Sequence, residues 1–305
     1  MIELVLCTLI WGASFIAQKL GADHFGPFSI NCYRNLLAAA FLGGCVLVRD
    51  RFVRHARQSV GLTRLQSGWT QGTVIGGALS GLCLFAAMLA QQLGIEQTAP
   101  GVSAFLTANY VLLVPVFGIA LGRRAGLPVW SGVALALAGT FLICFSMEDL
   151  RREPIDLGTG EAWTLLCAAL FAVQILVVDR FARDCDMLRF SMVQMTVAGL
   201  VALPFVFLPS ELARTSWGDF MAGLPALLFL GVLSSGVAYT LQNLGQAKVP
   251  AALASIIMSL EGVFAVFFGW LILEDMLTVC QLSGCTLVFC AVILSQLCSR
   301  SGSKI

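Results

Sequence analysis

Apolar residues in this chain come in long runs separated by short polar segments. A helix needs roughly 20 mostly apolar residues to cross a bilayer. By that ruler the runs give ten candidate spans, at 2–21, 28–48, 72–95, 99–121, 129–146, 161–178, 190–208, 222–242, 250–272 and 278–298. A membrane β-strand would alternate apolar and polar positions over about ten residues, and a run such as SGVALALAGTFLICF (131–145) does not. The pattern predicts an all-α integral membrane protein with ten transmembrane helices. The first run has no basic leader and continues past Trp11 to Leu20, so it is expected to stay as a span and not to leave as a signal peptide.

Composition agrees with the pattern. Of 305 residues, 58% are hydrophobic and 11% charged, where a soluble domain carries about 25% charged residues. So few ionic groups cannot cover a water-facing surface. Among the 11 cysteines only Cys185 falls outside the candidate spans, no Cys-x-x-Cys occurs, and the histidines are His24 and His55. Metal-ligand spacing is therefore lacking, and the cysteines are expected to pack between helices as small apolar residues. Neither a metal nor a cofactor is expected, and a net charge of +1 gives no reason to expect nucleic acid.

Charge does set an orientation. Cytoplasmic loops are enriched in Lys and Arg. With the N-terminus inside, the basic cluster Arg49, Arg51, Arg54, Arg57 and Arg64 lies in the cytoplasmic segments. So do Arg123, Arg124, Arg180, Arg183, Arg189, Lys248, Arg300 and Lys304, while the other side holds Arg151, Arg152 and Arg214. Both termini are expected in the cytoplasm. The longest connection, 49–71, is expected to be a solvated linker.

The chain also repeats. QQLGIEQTAPGVSAFL…VFG (91–118) aligns with QNLGQAKVPAALASII…FFG (242–269) at an offset of 151, so Gln91 meets Gln242 and Gly118 meets Gly269. Nearer the start of each half the offset is 160, and Trp11 faces Phe171 while Lys19 faces Asp179. Five spans per half is an odd number, so the second copy must enter the membrane from the opposite side. The expected organisation is two inverted five-helix repeats, 1–148 and 149–305. Such repeats build two exchangeable conformations around a site at the membrane midplane.

A charge at the bilayer centre costs about 2.5–3.5 kcal/mol on insertion scales, so a charged residue there faces the bundle interior. Glu261 is the deepest in the chain, made tolerable by protonation or by a cationic partner, and Lys19 and Arg34 are the intramembrane cations. Lys19 is expected to snorkel to the interface. Arg34 reads equally as a structural pair or as a site residue. Ser14, Gln91, Gln92, Asn109, Tyr110, Gln174, Gln194, Tyr239, Gln242, Asn243 and Ser259 are the uncharged polar residues that either bond neighbouring helices or converge on a cavity. Asn109 and Tyr110 fall opposite Leu260 and Glu261 at offset 151, which singles out that depth. Trp11, Trp163, Trp270, Phe15 and Phe264 are expected in packing or at the interface belts. The candidate substrate-binding set is Glu261, Arg34, Tyr110, Asn109, Ser14, Gln91, Gln174 and Tyr239, with Glu261 as the coupling residue. Pro100, Pro115, Pro225 and Pro250 are expected to punctuate the spans.

Two stretches resemble a known family. WGASFIAQKLGADHFGPFSINCYRNLLAA (11–39) resembles the opening signature of EamA-type transporters of the drug/metabolite transporter superfamily, through Trp11, Gly12, Phe15, Lys19, Pro27 and Arg34. SLEGVFAVFFGWLILEDMLTVCQLSG (259–284) resembles the signature of the ninth and tenth spans, with Ser259-Leu260-Glu261 and with Asp275 before Leu277-Thr278. The chain departs from the pattern at Arg123, where an acidic residue is expected, and in the sixth span, which lacks the Trp-Gly of the first. The resemblance implies a ten-helix bundle whose cavity is lined mainly by spans 1, 3, 4, 6, 8 and 9. It also implies a multi-pass protein of the inner or plasma membrane that exports amino acids or other small metabolites.

The expected function is therefore a secondary transporter, in the exporting direction, of an amino acid or derivative by alternating access. Its expected partners are the solute, membrane lipid, the proton as coupling ion and, as an open option, a second copy in a homodimer. The alternatives are an exchanger of phosphorylated or nucleotide-linked sugars, which would need several cations in the cavity, and a membrane-embedded enzyme, which would need a catalytic constellation around Glu261.

Overall fold

The computed structural model describes residues 1–59, 68–98, 100–123, 125–145, 158–214, 216–274 and 278–302, and these are helical with short connections. In chain order the long helices are α1 (Ile2–Ala22), α2 (Pro27–Ser59), α3 (Gln71–Ile95), α4 (Pro100–Ala108 and Tyr110–Ala120) and α5 (Leu127–Cys144). There follow α6 (Thr159–Phe181), α7 (Met187–Ala202), α8 (Trp217–Gln246), α9 (Ala251–Met258 and Leu260–Leu273) and α10 (Val279–Gly302). Eight of the described helices are long and apolar enough to cross a membrane; α2 and α10 are the two that fall outside that group, α10 with a shorter apolar part at Val279–Ser295. This is an integral membrane all-α fold.

Three departures from the expected spans matter. The 33-residue α2 runs past the predicted end at 48 to Ser59, so the first part of the expected solvated linker is helix. The stretch RDRFVRHARQ (49–58) holds no Gly or Pro, and arginine is a good helix former. Residues 60–67 lie outside the described residues, as do Asp275 and Leu277 of the second signature.

Next, α4 and α9 are each interrupted once, at Asn109 and at Ser259, and neither break falls at a proline. Pro100 begins α4, Pro250 caps α9, and Pro115 and Pro225 lie inside helices. The local cause is side-chain back-bonding, which competes with the helical ladder. Asn109 Nδ2 donates to the carbonyls of Phe105 (3.0 Å) and Leu106 (3.2 Å), and Ser259 Oγ donates to that of Ile256 (2.6 Å).

Finally, α8 widens into a π-helical segment over Phe229–Ala238. It begins one turn after Pro225, which has no N–H to offer the ladder. Gly231 and Gly236 within it lie against Leu37 and Phe41 of α2.

Small residues set the helix crossings. A Cβ at Gly12 would lie 2.5 Å from Phe264 Cβ, so α1 and α9 touch backbone to side chain at that point. Gly139 of α5 and Gly284 of α10 meet backbone to backbone, a Cβ at either lying against the other's carbonyl. The largest apolar cluster joins α4, α5, α6, α9 and α10 around Val111, Val114, Ile175, Ile256, Ile257 and Val288.

The helix ends gather on two faces. On the face that carries Met1, Asp186 caps α7 through the Leu188 and Arg189 N–H groups. It also takes both terminal nitrogens of Arg49 (2.9 and 2.7 Å) and one from Arg189 (2.8 Å), whose other nitrogen reaches Asp50 (2.6 Å). Arg123 bonds Asp179 and Lys248 bonds Glu3 on the same face. Arg123, which departs from the family signature, thus has its acidic complement at the buried Asp179. On the opposite face Arg214 pairs with Glu96 (3.1 Å), and Glu211 accepts from Ser29 N and Oγ (2.9 and 2.6 Å) at the start of α2.

Candidate functional site

A central cavity of about 40 Å³ lies where α1, α2, α3, α4, α6, α8 and α9 converge, room for on the order of three waters. The helices are those the resemblance implies, with α2 added because Arg34 reaches in from it. Seven of the eight candidate binding residues line it: Glu261, Arg34, Tyr110, Ser14, Gln91, Gln174 and Tyr239. Asn109 does not. It is spent on its own helix, and its role is to break α4 so that Tyr110 follows directly.

The π segment of α8 positions Arg34. Arg34 is 5% exposed and donates from Nε to Ser235 Oγ (2.9 Å) and from Nη2 to Ser234 Oγ (3.0 Å). A widened turn presents two consecutive serines to one guanidinium, which lowers the cost of burying a charge. Nη1 carries no hydrogen bond among the described residues.

Glu261 sits in the first turn of α9 after the break, half-buried, and makes no ion pair or hydrogen bond among the described residues. Arg34 is thus not its salt-bridge partner, although both line the same cavity. Ion pairing does not explain the burial of this carboxyl group; a polar cavity does.

Amide side chains form a chain across the floor of the cavity. Gln174 donates to Ser80 (3.2 Å), Gln242 donates to Gln174 (3.2 Å) and to Gln246 (3.0 Å), and Gln246 donates to the Ile175 carbonyl (3.0 Å). Gln242 Oε1 is buried with no partner among the described residues, an open acceptor on a residue that lines the cavity. A separate network ties Asn243 to Ser191 (2.9 Å) and Gln194 (2.8 Å) between α7 and α8, so those candidates are interhelical bonds. Lys19 is exposed, as expected of a snorkelling lysine.

Apolar lining residues were harder to see in the sequence. Trp11 lies against Tyr239 with ring centroids 4.8 Å apart and its Nε1 3.4 Å from the Ser234 carbonyl, so it is cavity wall and not interface belt. Phe171, which the 160 offset sets opposite Trp11, lines the cavity with it, as do Met88 and Met258. That offset was the available signal.

A bundle of apolar helices around a small polar cavity, lined by a guanidinium and by a carboxyl group with no ion pair among the described residues, marks a multi-pass membrane protein. The EamA-like transporter family matches residues 1–145 and again residues 158–297. The chain belongs to that family, within the drug/metabolite transporter superfamily.

An uncharacterized transporter of Archaeoglobus fulgidus is 26% identical over 296 residues, covering 96% of this chain and 84% of the relative. The uncharacterized transporter YoaV of Bacillus subtilis is 22% identical, covering 97% and 96%. The threonine/homoserine exporter RhtA of Escherichia coli K12 is 28% identical over 210 residues, covering 68% of this chain and 67% of its own. A solved crystal structure superposes with a TM-score of 0.73 at 19% identity, covering 98% of this chain and 97% of that one, which shows the fold alone. The family and relatives are named as transporters and not as enzymes.

Proposed function

We propose that this protein is a secondary exporter of a small metabolite, an amino acid or derivative, working by alternating access around the central cavity in the inner or plasma membrane. The observation that carries the reading is Glu261: a half-buried carboxyl, free of any ion pair among the described residues, on a cavity wall built by an interrupted helix. Such a group is costly unless its charge state or its occupant changes during a cycle. A zwitterionic solute would offer an ammonium to Glu261 and a carboxylate to Arg34. A proton would take the place of the ammonium in the return step, so Glu261 also serves as the coupling residue. The 28% identity to RhtA agrees with an amino-acid solute.

Within this reading the chain has ten spans, with α2 and α10 crossing as well, arranged as inverted repeats at 1–148 and 149–305 with both termini in the cytoplasm. The two separate family matches support the division. The breaks in α4 and α9, one residue from exact correspondence at offset 151, support a common design. Arg49, Arg123, Arg189 and Lys248 on the face of Met1, against Arg214 on the other, support the orientation. A homodimer is compatible with the exposed apolar flanks. An exchanger of phosphorylated sugars is disfavoured, because Arg34 is the one cationic residue in the lining while Lys248 is engaged with Glu3.

Counterflow in proteoliposomes tests the proposal. Vesicles preloaded with each amino acid in turn are offered the same one labelled outside, and saturable accumulation of at least one is expected. No accumulation of any by folded, inserted protein would discard the amino-acid reading.

A further inference from the structure

Glu261 also lines a second and larger cavity. It lies between α4, α5, α9 and α10, measures about 370 Å³, and shares Thr107, Tyr110 and Glu261 with the central one, so the two meet at the carboxyl group. Its walls on α4 and α9 are small residues, with Ala104 and Ala108 facing Gly262, Ala265 and Gly269, and Phe15 and Ile143 close the sides. Two of its hydroxyls are turned to their own helices: Thr140 donates to the Ala136 carbonyl (2.9 Å) and Ser259 to that of Ile256 (2.6 Å). Thr107 Oγ1, where the two cavities meet, is buried without a partner among the described residues, and Gln281 accepts from Thr278 N and Oγ1. Away from the junction at Thr107, Tyr110 and Glu261 the lining is mainly apolar and small, with one carboxylate at its inner end.

The repeat supplies a control. A third cavity, of about 310 Å³, is lined by Val114, Pro115 and Gly118, which correspond at offset 151 to Ala265, Val266 and Gly269. It shares no lining residue with the central cavity. Of this pair, only the cavity beside Glu261 reaches the polar site.

We infer that the second cavity is the side-chain subsite of the transported amino acid, and that this subsite takes large apolar side chains of leucine to tryptophan size. The inference rests on the amino-acid reading above and adds the substrate class. With the ammonium on Glu261 and the carboxylate on the free Nη1 of Arg34, the side chain enters the apolar cavity. Filling that space is worth about fourfold in affinity per buried methylene. A threonine or homoserine side chain leaves most of that space empty and forgoes this gain.

The test is counterflow of labelled phenylalanine, leucine, threonine and homoserine by the full chain in proteoliposomes, as wild type, Ala265→Leu and Ala104→Leu. The wild type should move phenylalanine and leucine with kcat/KM at least about tenfold above threonine. Each substitution should lower the ratio of phenylalanine to threonine kcat/KM at least about tenfold. The two lie on different helices, so misfolding of one leaves the other. Phenylalanine should also raise the melting temperature of the wild type more than threonine does. Counterflow of threonine or homoserine without phenylalanine or leucine would overturn the subsite and leave the amino-acid reading intact. So would loss of all four substrates alike in variants that elute as the wild type does, or unchanged phenylalanine flux in both. Absence of counterflow for every amino acid would overturn both.

Discussion

α4 stops at Asn109 and resumes at Tyr110, and α9 stops at Ser259 and resumes at Leu260 and Glu261. In each case the interrupting side chain bonds back to a carbonyl three or four residues earlier, and the backbone tightens there. Asn109 N lies 3.2 Å from the Leu106 carbonyl and Ser259 N lies 3.3 Å from that of Ile256. The backbone device is the same in both, and the residue it delivers to the cavity differs. One break presents a phenol that stays neutral, the other a carboxyl group that can change charge. The two segments therefore share a backbone break, while only one of them sets an ionisable carboxyl group beside it.

The largest expected effect comes from making the two breaks alike. Tyr110→Glu places a second carboxyl group in the same cavity, and should cost about 2.5–3.5 kcal/mol, read as a lower melting temperature and poor membrane yield. A variant as stable as the wild type would mean that the asymmetry is not energetic. Removing the charge from the other break should act with opposite signs on stability and function. Glu261→Gln is expected to lose at least about tenfold in transport while gaining about 0.5–2 kcal/mol in stability, because an unpaired buried carboxyl is relieved.

How much of this was legible in the sequence follows from the same residues. Apolar runs mark spans because lipid demands them, and Glu261 and Arg34 stand out because charge is expensive there. Seven of the eight candidate residues do line the cavity. Asn109 does not, because an asparagine can satisfy its own backbone as readily as a ligand, and sequence does not say which. The prolines do not mark the two breaks: Pro100 and Pro250 stand at helix starts, where a proline breaks nothing, Pro115 lies within α4, and Pro225 precedes the π segment of α8. The two serines that hold Arg34 and the clasp between Arg49 and Asp186 join residues about 200 and 137 positions apart. No local pattern encodes such pairs.

A smaller effect is expected at the face of Met1, where ion pairs join α2 to α7 and hold the two halves together. Asp186→Asn keeps a capping side chain and removes the charge. The loss should be about 1 kcal/mol, smaller at high salt because Arg49 is partly exposed. Burial would raise the pKa of Asp186, but hydrogen bonds from Arg49 and the Arg189 N–H, with the charges of both arginines, bring it below the ordinary aspartate value. Its stabilisation is therefore complete above the unfolded aspartate pKa and is lost as pH falls through the lowered folded one. Acid melting curves of wild type and Asp186→Asn should converge there; parallel curves would remove Asp186 from the account. The smallest effect is expected for Asn109→Ala and Ser259→Ala, each within about 0.7 kcal/mol of wild-type stability. Both should slow transport severalfold by straightening the helix, and normal rates in both would mean that the breaks are not hinges.

The most direct measurement is counterflow by wild type and Glu261→Gln side by side, from acidic to mildly alkaline pH, with an amino acid that the wild type moves. A pH-dependent wild-type rate, with residual flux in the variant that no longer responds to pH, is the predicted result. A variant that transports at the wild-type rate with the same pH profile would contradict the assignment of Glu261 as the group that couples proton and solute.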